Sequence, residues 1–151
     1  MLYLLTMNSI TNNDFISTYI RGNKILPNNV EEVKGDLDLN SLGLKSIVNL
    51  PKKIYGNLIL SNNKLTTLRY LPRLTTGSLD LSGNLIEIVE TDKIKILGNF
   101  YLMDNNVKEI NSLPKLVELY LLLNGNPIYK KGIKSKELAY KYLKLKTWKS
   151  L

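Results

Sequence analysis

Neither cysteine nor histidine occurs in this chain. Without cysteine there is no disulfide, no thiolate nucleophile and no cysteine-held zinc. Without histidine the usual general base and the commonest metal ligand are missing together. No run approaches the roughly 20 apolar residues that span a bilayer. The opening segment Met1-Leu2-Tyr3-Leu4-Leu5-Thr6-Met7 is apolar, but it is short, lacks a basic flank and lacks a small-residue cleavage site. It does not read as a signal peptide. Met7 is an alternative start, and Met1 to Thr6 are expected to add little to the fold. No glycine-rich loop opens a helix, so no phosphate cradle is present. Carboxylate pairs such as Glu31/Glu32 and Glu87/Glu90 fall on loops or segment ends with no sign of a pocket. The expectation is a non-enzyme with no catalytic residues, no metal site and no cofactor, working in the cytoplasm and away from membranes.

What the chain does have is a core and a strict period. Its 151 residues are 44% hydrophobic, enough for one domain, 1–151, with a continuous interior. The formal charge of +8 is unevenly placed. Residues 1–129 carry 13 Lys and Arg against 12 Asp and Glu, whereas residues 130–151 carry eight Lys against Glu137 alone. The body is nearly neutral and the tail is strongly basic. Glycine recurs every 21 residues, at Gly35, Gly56, Gly77 and Gly98. After each comes an alternating apolar pair: Leu37/Leu39, Leu58/Leu60, Leu79/Leu81, Phe100/Leu102, and then Leu121/Leu123 in the fifth unit. Period-two alternation predicts a short strand with one buried face. An asparagine follows each of the last four pairs, at Asn63, Asn84, Asn105 and Asn126. Further apolar positions (Leu65, Ile86, Val107, Ile128, then Leu68, Val89, Ile110) and the Leu50-Pro51, Leu71-Pro72 and Leu113-Pro114 pairs complete the unit. Self-similarity at a fixed period marks a repeat array, and such arrays are usually binding surfaces.

This L-x-L-x-x-N-x-L-x-x-L frame resembles the leucine-rich repeat family over about residues 33–129, in five 21-residue units. The resemblance implies an α/β solenoid with a curved parallel sheet of about five strands on its concave face. The stacked asparagines are expected to bond backbone groups of the turns between units. Extended or 3₁₀ segments are expected on the convex side, helped by Pro51, Pro72 and Pro114. Two places depart from the frame, and the fifth unit has one ambiguity. Leu42 stands where asparagine belongs, so that turn must be satisfied differently. Glu90 to Ile96 lacks the Leu-Pro pair and is expected to follow another path. Asn124 competes with Asn126 for the ladder, and the 21-residue count favours Asn126. The ends need caps. Residues 11–32 are read as an N-terminal cap, with a short helix running from the Thr11–Asp14 capping signal through Phe15, Ile16, Tyr19 and Ile20 to Gly22. Residues 130–151 are read as a basic capping helix started by Ser135, with Leu138, Ala139, Tyr142 and Leu143 on one stripe.

The residues between the buried leucines point away from the core. One column reads Asp38, Ile59, Asp80, Tyr101 and Leu122; flanking columns end in Tyr120 and carry Met103. These seven are the candidate partner-binding residues, and Tyr101, Met103, Tyr120 and Leu122 form an aromatic-rich anchor. The competing reading is a Tyr/Leu cluster that only supports the sheet, and the same patch serves self-association equally well. The second candidate surface is the tail. Lys130, Lys131, Lys134, Lys136, Lys141 and Lys144, with tyrosines between them, suit nucleic acid or another acidic surface. Against it stands a capping helix whose lysines merely keep the array end soluble. The expected role is a non-catalytic protein–protein interaction module. Gly35 to Leu39 and Leu60 to Leu68 are similar to units of small repeat proteins from bacteria and bacteriophages, which implies an inhibitor or recruiter of a host or defence protein. Effector-type ubiquitin ligases also carry Leu-Pro units, but they need a catalytic cysteine that this chain lacks.

The register itself is testable by stability. Leu60→Ala or Leu81→Ala should cost roughly 2–5 kcal/mol as buried truncations. Asp80→Ala should stay within about 0.5 kcal/mol as a surface change. Equal losses in denaturant titrations would mean the two faces are swapped, since a one-residue slip inverts them.

Overall fold

Each 21-residue unit forms one coil of a parallel-sheet solenoid, and each coil carries two short strands where the Leu-x-Leu pairs announced one. The computed structural model describes residues 9–10, 31–48 and 50–148, with backbone only for 9–10 and 145–148. The expected strands form a five-stranded parallel sheet: β3 (Leu37–Asp38), β5 (Leu58–Ile59), β7 (Leu79–Asp80), β10 (Phe100–Tyr101) and β13 (Leu121–Leu122), neighbours in that order. The unexpected strands build a second parallel sheet: β1 (Ser9–Ile10), β2 (Glu32–Lys34), β4 (Lys53–Tyr55), β6 (Leu74–Thr75), β9 (Lys95–Ile96) and β12 (Leu116–Val117). Its inward positions are Val33, Ile54, Thr75, Ile96 and Val117, all buried. All five are β-branched, the side-chain type that suits a pleated surface.

The bend between the two strands of a coil explains the periodic glycine. A Cβ on Gly56 would lie 2.5 Å from the carbonyl carbon of Gly35 in the coil below. At Gly56, Gly77 and Gly98 the bends stack too closely for a side chain, whereas Leu119 holds this place in coil five, where its N–H reaches Gly98 O at 3.3 Å. A second column marks the turn after the five-stranded sheet: Ser41, Asn62, Gly83, Asp104 and Gly125 all have positive φ. Only small polar residues and glycine fill it, as the left-handed region requires.

The asparagine column holds the coils together. Asn84 Nδ2 donates to Leu60 O (3.0 Å) and Leu81 O (2.9 Å), and its Oδ1 accepts the Leu65 N–H (3.0 Å). Asn105 repeats this with Leu81 O, Leu102 O and the Ile86 N–H, and Asn126 with Leu102 O, Leu123 O and the Val107 N–H. Asn126, not Asn124, is the ladder member. The first turn, where Leu42 replaces asparagine, is closed from the next coil: Asn63 Oδ1 accepts the Leu42 N–H (3.1 Å) and the Leu44 N–H (3.0 Å).

Opposite the five-stranded sheet the coils are mostly irregular. The exception is a two-stranded pair, β8 (Ile88–Val89) and β11 (Glu109–Ile110), in coils three and four. The unit without Leu-Pro does take its own path. Ile94 is buried, its N–H reaches Thr91 O (3.3 Å), and the Thr91 N–H is held by Ser112 Oγ (3.0 Å).

After β13 come α1 (Pro127–Lys130) and α2 (Lys136–Trp148). Ser135 Oγ accepts the Leu138 N–H (3.3 Å), as expected of the residue that starts the helix. Ala139 is buried, and Tyr142 and Leu143 pack on the core. Leu138 departs from the expected stripe and is exposed. Tyr140 contributes instead, donating its hydroxyl to Pro114 O (2.7 Å). Burial pushes its phenol above the usual range. The N-terminal cap helix expected within residues 11–32 lies outside the described residues, except that Glu32 belongs to β2.

Inside the core, Thr75 Oγ1 is buried without a hydrogen-bond partner. A buried unpaired hydroxyl costs roughly 1–3 kcal/mol. Thr75→Val, matching its neighbours Ile54 and Ile96, should therefore raise the denaturation midpoint by about 1 kcal/mol or more of stability. Asn84→Ala should lower it by about 3 kcal/mol or more, because it strands several buried backbone groups at once. A Thr75→Val loss as large as that of Asn84→Ala would contradict this packing.

Candidate partner-binding face

The outward column of the five-stranded sheet is as expected: Asp38, Ile59, Asp80, Tyr101 and Leu122 are laterally paired in that order. All five are half-buried, as is Met103. Tyr101 pairs directly with Leu122, whereas Asp38 lies at the opposite edge of the sheet. The seven candidates therefore do not converge on one spot. Tyr101, Tyr120 and Leu122 gather at the C-terminal edge.

The acidic members have local duties. Asp38 Oδ1 accepts the Asn40 N–H (3.0 Å) and Asp80 Oδ1 accepts the Ser82 N–H (2.9 Å). Each carboxylate thus shapes the turn after its own strand, as aspartate does in turns generally. That duty raises the expected cost of Asp80→Ala to about 1 kcal/mol, still well below the buried leucines. Leu60 and Leu81 are fully buried, so the two faces are assigned as expected.

The neighbouring column is a second ladder, which the sequence reading missed. Asp36 Oδ1 accepts the Asn57 N–H (2.7 Å), Asn57 Oδ1 the Ser78 N–H (2.8 Å), Ser78 Oγ the Asn99 N–H (3.0 Å) and Asn99 Oδ1 the Tyr120 N–H (3.2 Å). Each side chain serves the next coil's backbone. Tyr120 ends the series and has no further coil to serve. The residue is 71% exposed. Asn99 also donates to the Tyr101 hydroxyl (2.7 Å), which fixes that ring over the sheet. The signal for this ladder was a run of short acceptors, Asp, Asn, Ser and Asn, at 21-residue intervals.

Beside this edge, β13 and the start of α2 enclose a cleft of about 290 Å³. Tyr120, Leu122, Asn124, Lys134, Ser135 and Glu137 line it. The Glu137 carboxyl is held below its usual range by its own backbone N–H and by Ser135.

The tail lysines divide. Lys136 Nζ donates to Val117 O (3.0 Å), Glu118 O (3.3 Å) and Leu119 O (2.6 Å). In interior coils the next coil's amides take the carbonyls equivalent to those of Val117 and Leu119, as Thr76 N–H does at Ile54 O and Leu119 N–H at Gly98 O. Lys136 therefore closes the last edge of the six-stranded sheet and is removed from the polyanion set. Lys134 sits 5.5 Å from the centre of the Tyr129 ring. Lys130, Lys131, Lys141 and Lys144 are exposed. The six-stranded face was also missed as a surface. It presents Tyr55, Leu97 and Leu116, with Leu119 at the bend beside it. The signal was Val33, Ile54, Thr75, Ile96 and Val117 at 21-residue spacing, which marks a strand two residues before each of the four repeat glycines and before Leu119.

Among the described residues, no helix is long and apolar enough to cross a membrane. Compared with protein-family models, curated proteins and solved structures, the chain matches none.

Proposed function

We propose that this chain is a leucine-rich-repeat protein of α/β type whose ends are capped by helices. Its role in this reading is non-catalytic: it binds a macromolecular protein partner through the C-terminal end of its five-stranded face. The observation that carries this reading is Tyr120. At the other four positions of its column the side chain holds the next coil's backbone. At Tyr120 that duty has lapsed, and a large aromatic ring stands exposed beside Tyr101 and Leu122. Exposed tyrosines with apolar neighbours are the usual anchors of protein interfaces. The five-stranded face spans only about 20 Å at a strand spacing of about 4.8 Å. A standard interface buries on the order of 800 Å² on each side, so the neighbouring cleft and α2 belong to the same surface.

The narrower reading, a cytoplasmic protein of bacterial or viral type that blocks or recruits a host or defence protein, rests on the resemblance of Gly35 to Leu39 and Leu60 to Leu68. The alternative is binding of an acidic surface by the tail. It loses Lys136 to the sheet edge and keeps Lys130, Lys131, Lys141 and Lys144 on the surface.

The test is affinity capture with the intact chain and with the Tyr101→Ala/Tyr120→Ala variant, at low and moderate salt. A protein partner retained at both salts by the intact chain and lost with the variant is the expected result. Recovery of nucleic acid at low salt only, by both forms equally, would transfer the function to the lysine tail.

A further inference from the structure

Asn124-Gly125 is the chain's one Asn-Gly pair. It lies in the left-handed turn after β13, with Gly125 at φ 80 and both residues exposed. Asparagine before glycine is chemically labile. Glycine has no Cβ to hinder its own backbone nitrogen from attacking the preceding side chain. In a folded chain two restraints oppose that attack. One is a hydrogen bond donated by the attacking N–H, and the other is a hydrogen bond on the asparagine side chain.

Both restraints are in place at Asn40-Ser41, the same turn of coil one. Asn40 is exposed, but Ser41 N–H donates to Ser61 O (3.0 Å) and Asn40 Nδ2 donates to Asp38 Oδ1. The other inner turns hold the equivalent amide in the same way. Asn62 N–H reaches Ser82 O (2.9 Å), Gly83 N–H reaches Met103 O (3.0 Å) and Asp104 N–H reaches Asn124 O (2.9 Å). Coil five has no further coil above it. Among the described residues, neither Gly125 N–H nor the Asn124 side-chain amide has a hydrogen-bond partner. The Asn124 carbonyl stays anchored on Asp104 N–H, so the turn is held from one side only.

We propose that Asn124 is a deamidation site, set up by the end of the array. Gly125 N gives up its proton and bonds to Asn124 Cγ, the Cγ–Nδ2 bond breaks, and that nitrogen leaves as ammonia. Water then opens the resulting succinimide at either carbonyl and leaves aspartate or isoaspartate at position 124. The balance is one water consumed and one ammonia released, with no oxidant and no cofactor. The product carboxylate stands on the wall of the cleft that Tyr120, Lys134 and Glu137 also line, so this edge gains one negative charge. The site does not rest on the protein-binding reading, and its test can fail independently of the capture experiment.

The experiment incubates the full chain at mildly alkaline pH, folded and in concentrated urea, and follows each asparagine by peptide mass spectrometry. Every site is referred to its own rate in urea, which removes the intrinsic difference between Asn-Gly and Asn-Ser. Folding should slow Asn124 by less than about tenfold and Asn40 by more than about tenfold. Ser82→Asn adds the decisive comparison. It sets the same dipeptide in coil three, in a column that already carries Asn40 and Asn124, where Gly83 N–H is engaged by Met103 O. Folding should slow position 82 by more than about tenfold. Slowing of Asn124 by tenfold or more would overturn the proposal. So would slowing of position 40 or 82 by less than about tenfold, because the missing hydrogen bonds would then not be the cause.

Discussion

The buried asparagine ladder is the constraint on which the rest of this structure depends. Each member bridges three segments, and adjacent members share an acceptor. Leu60 O receives both Asn63 and Asn84, and Leu81 O receives both Asn84 and Asn105. Leu102 O receives Asn105 and Asn126. Buried backbone groups must find partners, and this column supplies them where a turn leaves the sheet. The arrangement works only if every coil has the same length. The 21-residue period, the stacked glycine bends and the left-handed turn column all follow from that requirement.

The same logic separates structural from functional surface. In a solenoid each coil satisfies the next, so most polar side chains on the faces already have tasks. Asp36, Asn57, Ser78 and Asn99 hold neighbouring backbones, and Asp38 and Asp80 hold their own turns. Obligations end with the array. At the last coil Lys136 relieves the carbonyl edge of one sheet, while the other sheet ends beside a cleft and an exposed aromatic. The proposed function sits there because that coil is where structure stops dictating side-chain identity.

Much of this was legible in the sequence. Leu37/Leu39 and their repeats placed one sheet correctly, and the choice of Asn126 over Asn124 followed from counting. The second sheet is hard to read because its inward signal is one β-branched residue per unit, at Val33, Ile54, Thr75, Ile96 and Val117, and its outward neighbours mix charged residues with Leu74, Leu97 and Leu116, so no clean alternation results. Composition groups Lys136 with the other lysines because it registers charge and not the three carbonyl partners of this ammonium. Helical spacing assigns Leu138 to the buried stripe, but in α2 Leu138 is exposed and Tyr140 donates its hydroxyl to Pro114 O. Such choices depend on how an element docks, which local spacing does not encode.

A double-mutant cycle on the ladder tests the central claim most directly. Asn84 and Asn105 share Leu81 O, whereas Asn63 and Asn126 share no acceptor and lie three coils apart. If the ladder is one connected structure, the Asn84→Ala/Asn105→Ala pair should depart from additivity by about 1 kcal/mol or more in denaturant unfolding, and the Asn63→Ala/Asn126→Ala pair by no more than about 0.5 kcal/mol. Strict additivity in both pairs would show that each asparagine serves only its own turn and that the period has another cause.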